Sequence, residues 1–215
     1  IEGCNVEIPP ERVNQASIAA DVLGANITQS YPLLDGVLPT TDDSKELILN
    51  RTWRPSLSYV GLSGMPDIEV AGNVLRPSTA IKTSLRVPPT VNTEKIKYQI
   101  KETLEANSPY NAKVSFEIHS HTDGWNSPEL ENWYEAALND ASMTYFRKEP
   151  VFMGEGGSIP FMNLLSTMFP QAQFMITGVL GPHSNAHGPN EFLHIPYVKK
   201  LTCCISHVIA AHGNS

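Results

Sequence analysis

Thr79-Ala80-Ile81-Lys82-Thr83-Ser84-Leu85-Arg86-Val87 alternates apolar and polar side chains along its length. Ile81, Thr83, Leu85 and Val87 fall on one face, Lys82, Ser84 and Arg86 on the other, which is the period of a half-buried β-strand. Ser56–Leu62, with Leu57 and Tyr59 on one face, predicts an earlier strand, and Lys113–His119, with Val114, Phe116 and Ile118, predicts a third. Between the second and third lies Glu94–Ala106, where Ile96, Ile100 and Leu104 recur every four residues and make an amphipathic helix. Ahead of all of these, Glu11–Leu23 reads as a helix that starts after Pro9-Pro10 and stops at Gly24. A short helix is expected near Ser44–Leu49. This order predicts an α+β unit, a small antiparallel sheet with helices on one face.

The pattern changes after Asp123-Gly124. A helix is expected over Glu129–Phe146, with Leu130, Tyr134, Ala137, Leu138 and Ala141 on one stripe, and another over Ile159–Met168. Gln173–Leu180 is a continuous apolar run of strand length, as in strands covered on both faces. A last helix is expected from about Pro196, with Val198, Leu201, Ile205 and Val208 inward. Helices around a buried strand imply α/β layering, so a boundary is placed near residue 122, dividing 1–122 from 123–215.

The bulk numbers exclude some functions. Hydrophobic residues make up 41% of the 215 and charged residues 17%, an ordinary globular balance. The net charge is −7 and the 15 basic residues do not cluster, so no nucleic-acid footprint is present. No apolar run is long enough to span a membrane, and none is expected as a partner. Cys4, Cys203 and Cys204 are an odd set that suggests no disulfide framework, and a reducing, cytoplasmic compartment is expected. Two N-x-[ST] sequons, at Asn26 and Asn50, argue the other way.

Four segments could carry chemistry. The turn Glu155-Gly156-Gly157-Ser158-Ile159-Pro160 opens a helix, so exposed N–H groups and a hydroxyl could cradle a carboxylate or phosphate. An ordinary N-cap by Ser158 explains the same residues equally well. The loop from Gly181 to Glu191 contains His183 and His187, and imidazole is a common zinc ligand, but zinc needs at least three protein ligands and local spacing supplies no others. His119, His121 and Asp123 include a His-x-Asp pattern, yet they sit at the frayed end of a predicted strand and read as a turn. Arg86 projects from the polar face of its strand, and a guanidinium there could bind a carboxylate bidentately or simply be solvated.

Taken together, five segments closely resemble the zinc metallopeptidase family of carnosine dipeptidase, the cytosolic nonspecific dipeptidase, glutamate carboxypeptidase and acetylornithine deacetylase. They are Thr52–Gly61 (TWRPSLSYVG), Ala71–Pro77 (AGNVLRP), Lys82–Pro89 (KTSLRVPP), Gly154–Pro160 (GEGGSIP) and Ser184–Glu191 (SNAHGPNE), in family order. The resemblance implies that residues 1–122 are the lid, or dimerisation, domain and that 123–215 are the C-terminal part of an α/β di-zinc exopeptidase domain. It implies that His187 is a metal ligand, that Arg86 and Ser158 bind the substrate carboxylate, and that Gly157 is a substrate-binding residue. Asn73 falls where the dipeptidases place a substrate-contacting threonine. Two zinc ions, or manganese, would activate a water against the scissile carbonyl while a glutamate moves the proton.

The departures are equally specific. In the family the other metal ligands, and the Glu-Glu pair that contains the general base, precede the lid. This sequence contains no Glu-Glu pair, and its His-x-Asp lies elsewhere. Gly154 stands where the dipeptidases have arginine. The expectation is therefore a fragment of a homodimeric, two-metal dipeptidase acting on short peptides with a free C-terminal carboxylate, with no catalytic base in this chain and no activity alone. The alternatives are a non-catalytic dimerisation or binding fragment, and an N-acyl amino acid deacylase or carboxypeptidase of the same family.

Overall fold

The computed structural model describes all residues except Ser30, Gly157, Ser158, Pro182, Asn214 and Ser215. In chain order it contains α1 (Pro10–Leu23), α2 (Asn26–Gln29), α3 (Ser44–Thr52), β1 (Ser56–Ser63), β2 (Ala80–Arg86), α4 (Thr93–Glu105), α5 (Asn132–Phe146), α6 (Pro160–Met168) and α7 (Ile195–His212). Two compact units emerge. One comprises Ile1–Ile8, Leu49–Gly124 and Glu155–Pro160; the other comprises Pro9–Ile48, Trp125–Gly154 and Phe161–Ser215. This departs from a single division near residue 122. Residues 9–48 join the second unit because, for example, the α1 side chain Arg12 donates to the Ser127 carbonyl at 2.6 Å. Residues 155–160 join the first because Arg86 reaches the Gly156 carbonyl.

In the first unit β1 and β2 form an antiparallel ribbon, with Leu57 opposite Leu85 and Tyr59 opposite Thr83. The register shifts between Tyr59 and Gly61, a bulge that leaves Val60 outside the pairing. At Gly64, φ is +84° and a Cβ would lie 2.3 Å from the Ser78 carbonyl oxygen, so glycine is required where the chain turns. Every residue of both strands is exposed, and the expected helix-covered face is absent: Tyr59 is 73% and Leu62 62% exposed. Burial is concentrated instead where Cys4, Val91 and Ile96 pack with Val6, Val87 and Ile100. The α4 stripe is thus inward at Ile96 and Ile100, whereas Leu104 is exposed.

Residues 113–119 are not a strand. The Phe116 N–H donates to Glu105 Oε1 at 2.7 Å, and Lys101 Nζ donates to the Phe116 carbonyl at 3.4 Å. Side chains of α4 thereby take backbone groups that a neighbouring strand would otherwise pair.

The second unit is built on the packing of α5 against α7. Tyr134, Ala137, Leu138 and Ala141 of α5 enclose Cys204 and Val208 of α7. The small faces of Ala137 and Ala141 permit close approach, and the Cys204 thiol lies 3.5 Å from the Ala141 carbonyl. His207 Nε2 and Asp140 Oδ2 are 2.9 Å apart at the edge of the same contact. The α5 helix begins three residues later than expected and ends at Arg147 in the left-handed conformation. Gln173–Leu180 is not a strand, and Ile176 and Leu180 are about half exposed. Its apolar run would suit a central strand, but among the described residues no second strand flanks it to supply a ladder. No helix among the described residues is long and apolar enough to cross a membrane, and Cys4, Cys203 and Cys204 are free thiols.

Candidate functional site

Arg86 is the last residue of β2 and pairs across the ribbon with Ser56. Its Nη1 donates to the carbonyl oxygen of Gly156. Two segments 70 residues apart, both singled out as carboxylate binders, therefore meet in the first unit. The guanidinium has five N–H donors in a planar fork, so one contact to a carbonyl leaves donors for an anion.

The turn itself is held closely. The Gly156 N–H donates to Glu155 Oε1 at 3.0 Å. A Cβ at Gly156 would lie 2.4 Å from the carbonyl oxygen of Arg51, in the last turn of α3. Such a distance is far inside van der Waals contact, so glycine is needed to let this backbone approach the helix end. Gly157 and Ser158 lie outside the described residues. Asn73 is exposed, in the loop between β1 and β2.

His187 belongs to the second unit. It is exposed and left-handed, with φ +62°, and its backbone N–H donates to Glu191 Oε2 at 3.2 Å. The loop is tied by hydrogen bonds from Gly188 N–H to the Asn185 carbonyl and from Asn185 Nδ2 to the Pro189 carbonyl. Ser184 is buried, and its carbonyl accepts from the Phe192 N–H. Glu191 thus orders the backbone around His187. Among the described residues no group of three or more His, Cys, Asp or Glu side chains is assembled to hold a metal ion. The residues present do not fit a complete metal site, and His187 could supply at most one donor.

His121 and Asp123 have structural work. Asp123 Oδ1 accepts from the Thr93 N–H at 3.0 Å and the Thr93 hydroxyl at 2.7 Å, supplementing the Asn92 N-cap, whose Oδ1 accepts from the Lys95 N–H, at the start of α4. His121 Nε2 pairs with Glu94 in the first turn of α4. The Thr93 hydroxyl, then the Thr93 N–H, lowers the Asp123 carboxyl below its usual value. A lowered folded value means the ionised form stabilises the fold above the ordinary carboxylate range, and that contribution is lost as pH falls through the folded value. Asp123→Ala is expected to cost about 1 kcal/mol at pH 7, the usual worth of a helix cap. The gap from wild type should begin to narrow at about pH 4 and close only below the lower folded value, and urea unfolding at pH 7 and pH 3 checks the direction.

Sequence reasoning missed the Gly156 carbonyl as the Arg86 acceptor and the Arg51 backbone as the backing of the turn. No local pattern encodes either contact. The start of α4 did carry a signal, since Asn92 stands as N-cap before an amphipathic segment, but its pairing with Asp123 did not.

No family model matches the chain. The cysteinylglycine-S-conjugate dipeptidase of Corynebacterium striatum is 28% identical over 188 residues, which are 84% of this chain and 40% of that protein. The Cys-Gly metallodipeptidase DUG1 of Saccharomyces cerevisiae is 33% identical over 161 residues, 71% of this chain and 32% of that one. The solved structure of the dipeptidase Dug1p from Saccharomyces cerevisiae superposes with a TM-score of 0.71 at 21% identity, over 100% of this chain and 44% of the other. The chain spans 40% and 32% of the length of these two curated relatives. It belongs to the metallopeptidase family that includes the Cys-Gly dipeptidases.

Proposed function

We propose that residues 1–215 are part of a dipeptidase that hydrolyses short peptides carrying a free C-terminal carboxylate, and that this chain supplies the grip on that carboxylate. The observation that carries the reading is the Arg86 guanidinium on the Gly156 carbonyl, which joins a fixed cation to a glycine turn at a helix start. Arg86 and Ser158 bind the carboxylate, and Asn73 and Gly157 contact the substrate. Anchoring one end of a short peptide sets where its scissile bond lies, which is how binding away from the reacting atoms contributes to rate.

His187 contributes one imidazole to a pair of zinc or manganese ions whose other donors, with the general base, lie outside residues 1–215. Such a metal pair, if held, would supply an activated water, and His187 would be this chain's one donor to it. The chain alone is inactive, since one donor cannot hold a metal pair. The exposed apolar side chains of the ribbon, among them Leu57, Tyr59 and Leu62, support a homodimer formed through the lid domain, residues 1–122. Three free thiols support a cytoplasmic location.

The intact enzyme, the polypeptide or assembly that completes this chain, should hydrolyse dipeptides well and N-acetyl amino acids poorly. Competing the two in one reaction checks this, and preferential release of acetate would replace the dipeptidase reading with a deacylase.

A further inference from the structure

Gly156 is restrained on three sides. Its carbonyl accepts from Arg86, its N–H donates to Glu155 Oε1, and its Cα faces the Arg51 carbonyl at a distance that leaves no room for a Cβ. The carbonyl that Arg86 meets is therefore set by the end of α3 and not by Arg86 itself. We propose that Gly156 is a positioning residue for Arg86: α3 fixes the Gly156 carbonyl, and that carbonyl orients the guanidinium so that its remaining donors face the substrate carboxylate. This inference rests on the carboxylate-binding reading above.

The physical argument concerns freedom. An exposed arginine at a strand end samples many rotamers, and ordering it on binding costs free energy. A neutral carbonyl occupying one N–H removes much of that freedom without neutralising the charge. A carboxylate in the same place would also orient the guanidinium, but it would compete with the substrate. The planar fork then presents its other edge. Gly156→Ala would drive the turn off α3 and move the carbonyl, so that Arg86 keeps its charge and loses its direction.

The test measures, in the intact enzyme, the preference for a dipeptide over the corresponding dipeptide amide, which lacks the anionic terminus. Gly156→Ala is expected to lower that preference about tenfold, the scale of one hydrogen bond to a charged group, with the free-acid substrate losing mainly in KM. On an Arg86→Gln background it should lower the preference no further, because both changes remove the same interaction. A Gly156→Ala enzyme that slows acid and amide alike, or adds fully to Arg86→Gln, overturns the proposal. If Arg86→Gln itself leaves the preference intact, the carboxylate reading has failed, and the proposal with it. A second measurement does not need the alanine variant to fold. Amide hydrogen exchange at Glu155 and Gly156 should change by less than about twofold in Arg86→Gln, because the end of α3 and not Arg86 sets the turn. Exchange there that speeds up about tenfold would show that Arg86 holds the turn, and not the turn Arg86, and would overturn the proposal.

Discussion

His187→Ala in the intact enzyme is expected to remove tightly held metal and to lower dipeptide hydrolysis at least about a hundredfold, since losses of ten- to a hundredfold already follow from changing groups that merely orient a ligand. The imidazole is the one donor this chain is proposed to contribute, and its backbone is arranged for it. A left-handed φ of +62° and the bond from its N–H to Glu191 fix the loop on either side of the ring. Those same contacts make the loss specific. His187 is exposed, so alanine there leaves no cavity, and thermal stability of the metal-free protein should change by less than about 0.5 kcal/mol. Metal content by mass, hydrolysis rate and melting temperature together check the prediction. Full metal content in the variant would mean that His187 is an ordinary loop histidine.

Arg86→Gln is expected to raise KM for dipeptides roughly ten- to a hundredfold. The underlying loss is about 1.5–3 kcal/mol, the range for hydrogen bonds to a charged group. The amide analogue, which offers no charge, should be far less sensitive, so the acid-over-amide preference collapses. Glutamine preserves a donor for the Gly156 carbonyl but lacks the cation. A purely structural arginine would show the opposite pattern, with both substrates affected alike and a lower melting temperature. Steady-state kinetics on the paired substrates distinguishes these outcomes. Added salt provides a further check, because the wild-type preference is electrostatic and should weaken with ionic strength.

Much of the local structure was legible in the residues. Alternation located β1 and β2 to within a residue or so, and the four-residue spacing of Ile96 and Ile100 located α4. The Tyr134–Ala141 stripe correctly identified the face of α5 that meets α7. The failures share one cause: alternation and apolar runs report what a strand would bury, not whether a partner is present. Residues 113–119 have the right alternation, but the Phe116 backbone is taken by Glu105 and Lys101. Residues 173–180 have the composition of a central strand and no flanking strand among the described residues. The helix-covered face expected of the ribbon fails similarly, since Ile81 and Leu85 face solvent.

The site divides along the same line. Arg86, the glycine turn and His187 stand out as residue types, and only the resemblance to a family proposes roles for them. The contact of Arg86 with a carbonyl 70 residues away was not legible, because nothing in either segment names the other. His121 and Asp123 show the converse. Their spacing suggests a metal site, and their hydrogen bonds to Glu94 and Thr93 show them spent on the start of α4.

Native mass spectrometry, on protein isolated without chelators, tests the central claim most directly. That claim is that residues 1–215 carry the carboxylate grip and one metal donor of a dipeptidase but cannot hold its metal pair alone. The expected result is a 23.6 kDa species free of tightly bound metal, with two zinc or manganese ions per chain only where further polypeptide accompanies it. A lone 23.6 kDa species that retains two metal ions would contradict the account, as would a larger complete species that carries none.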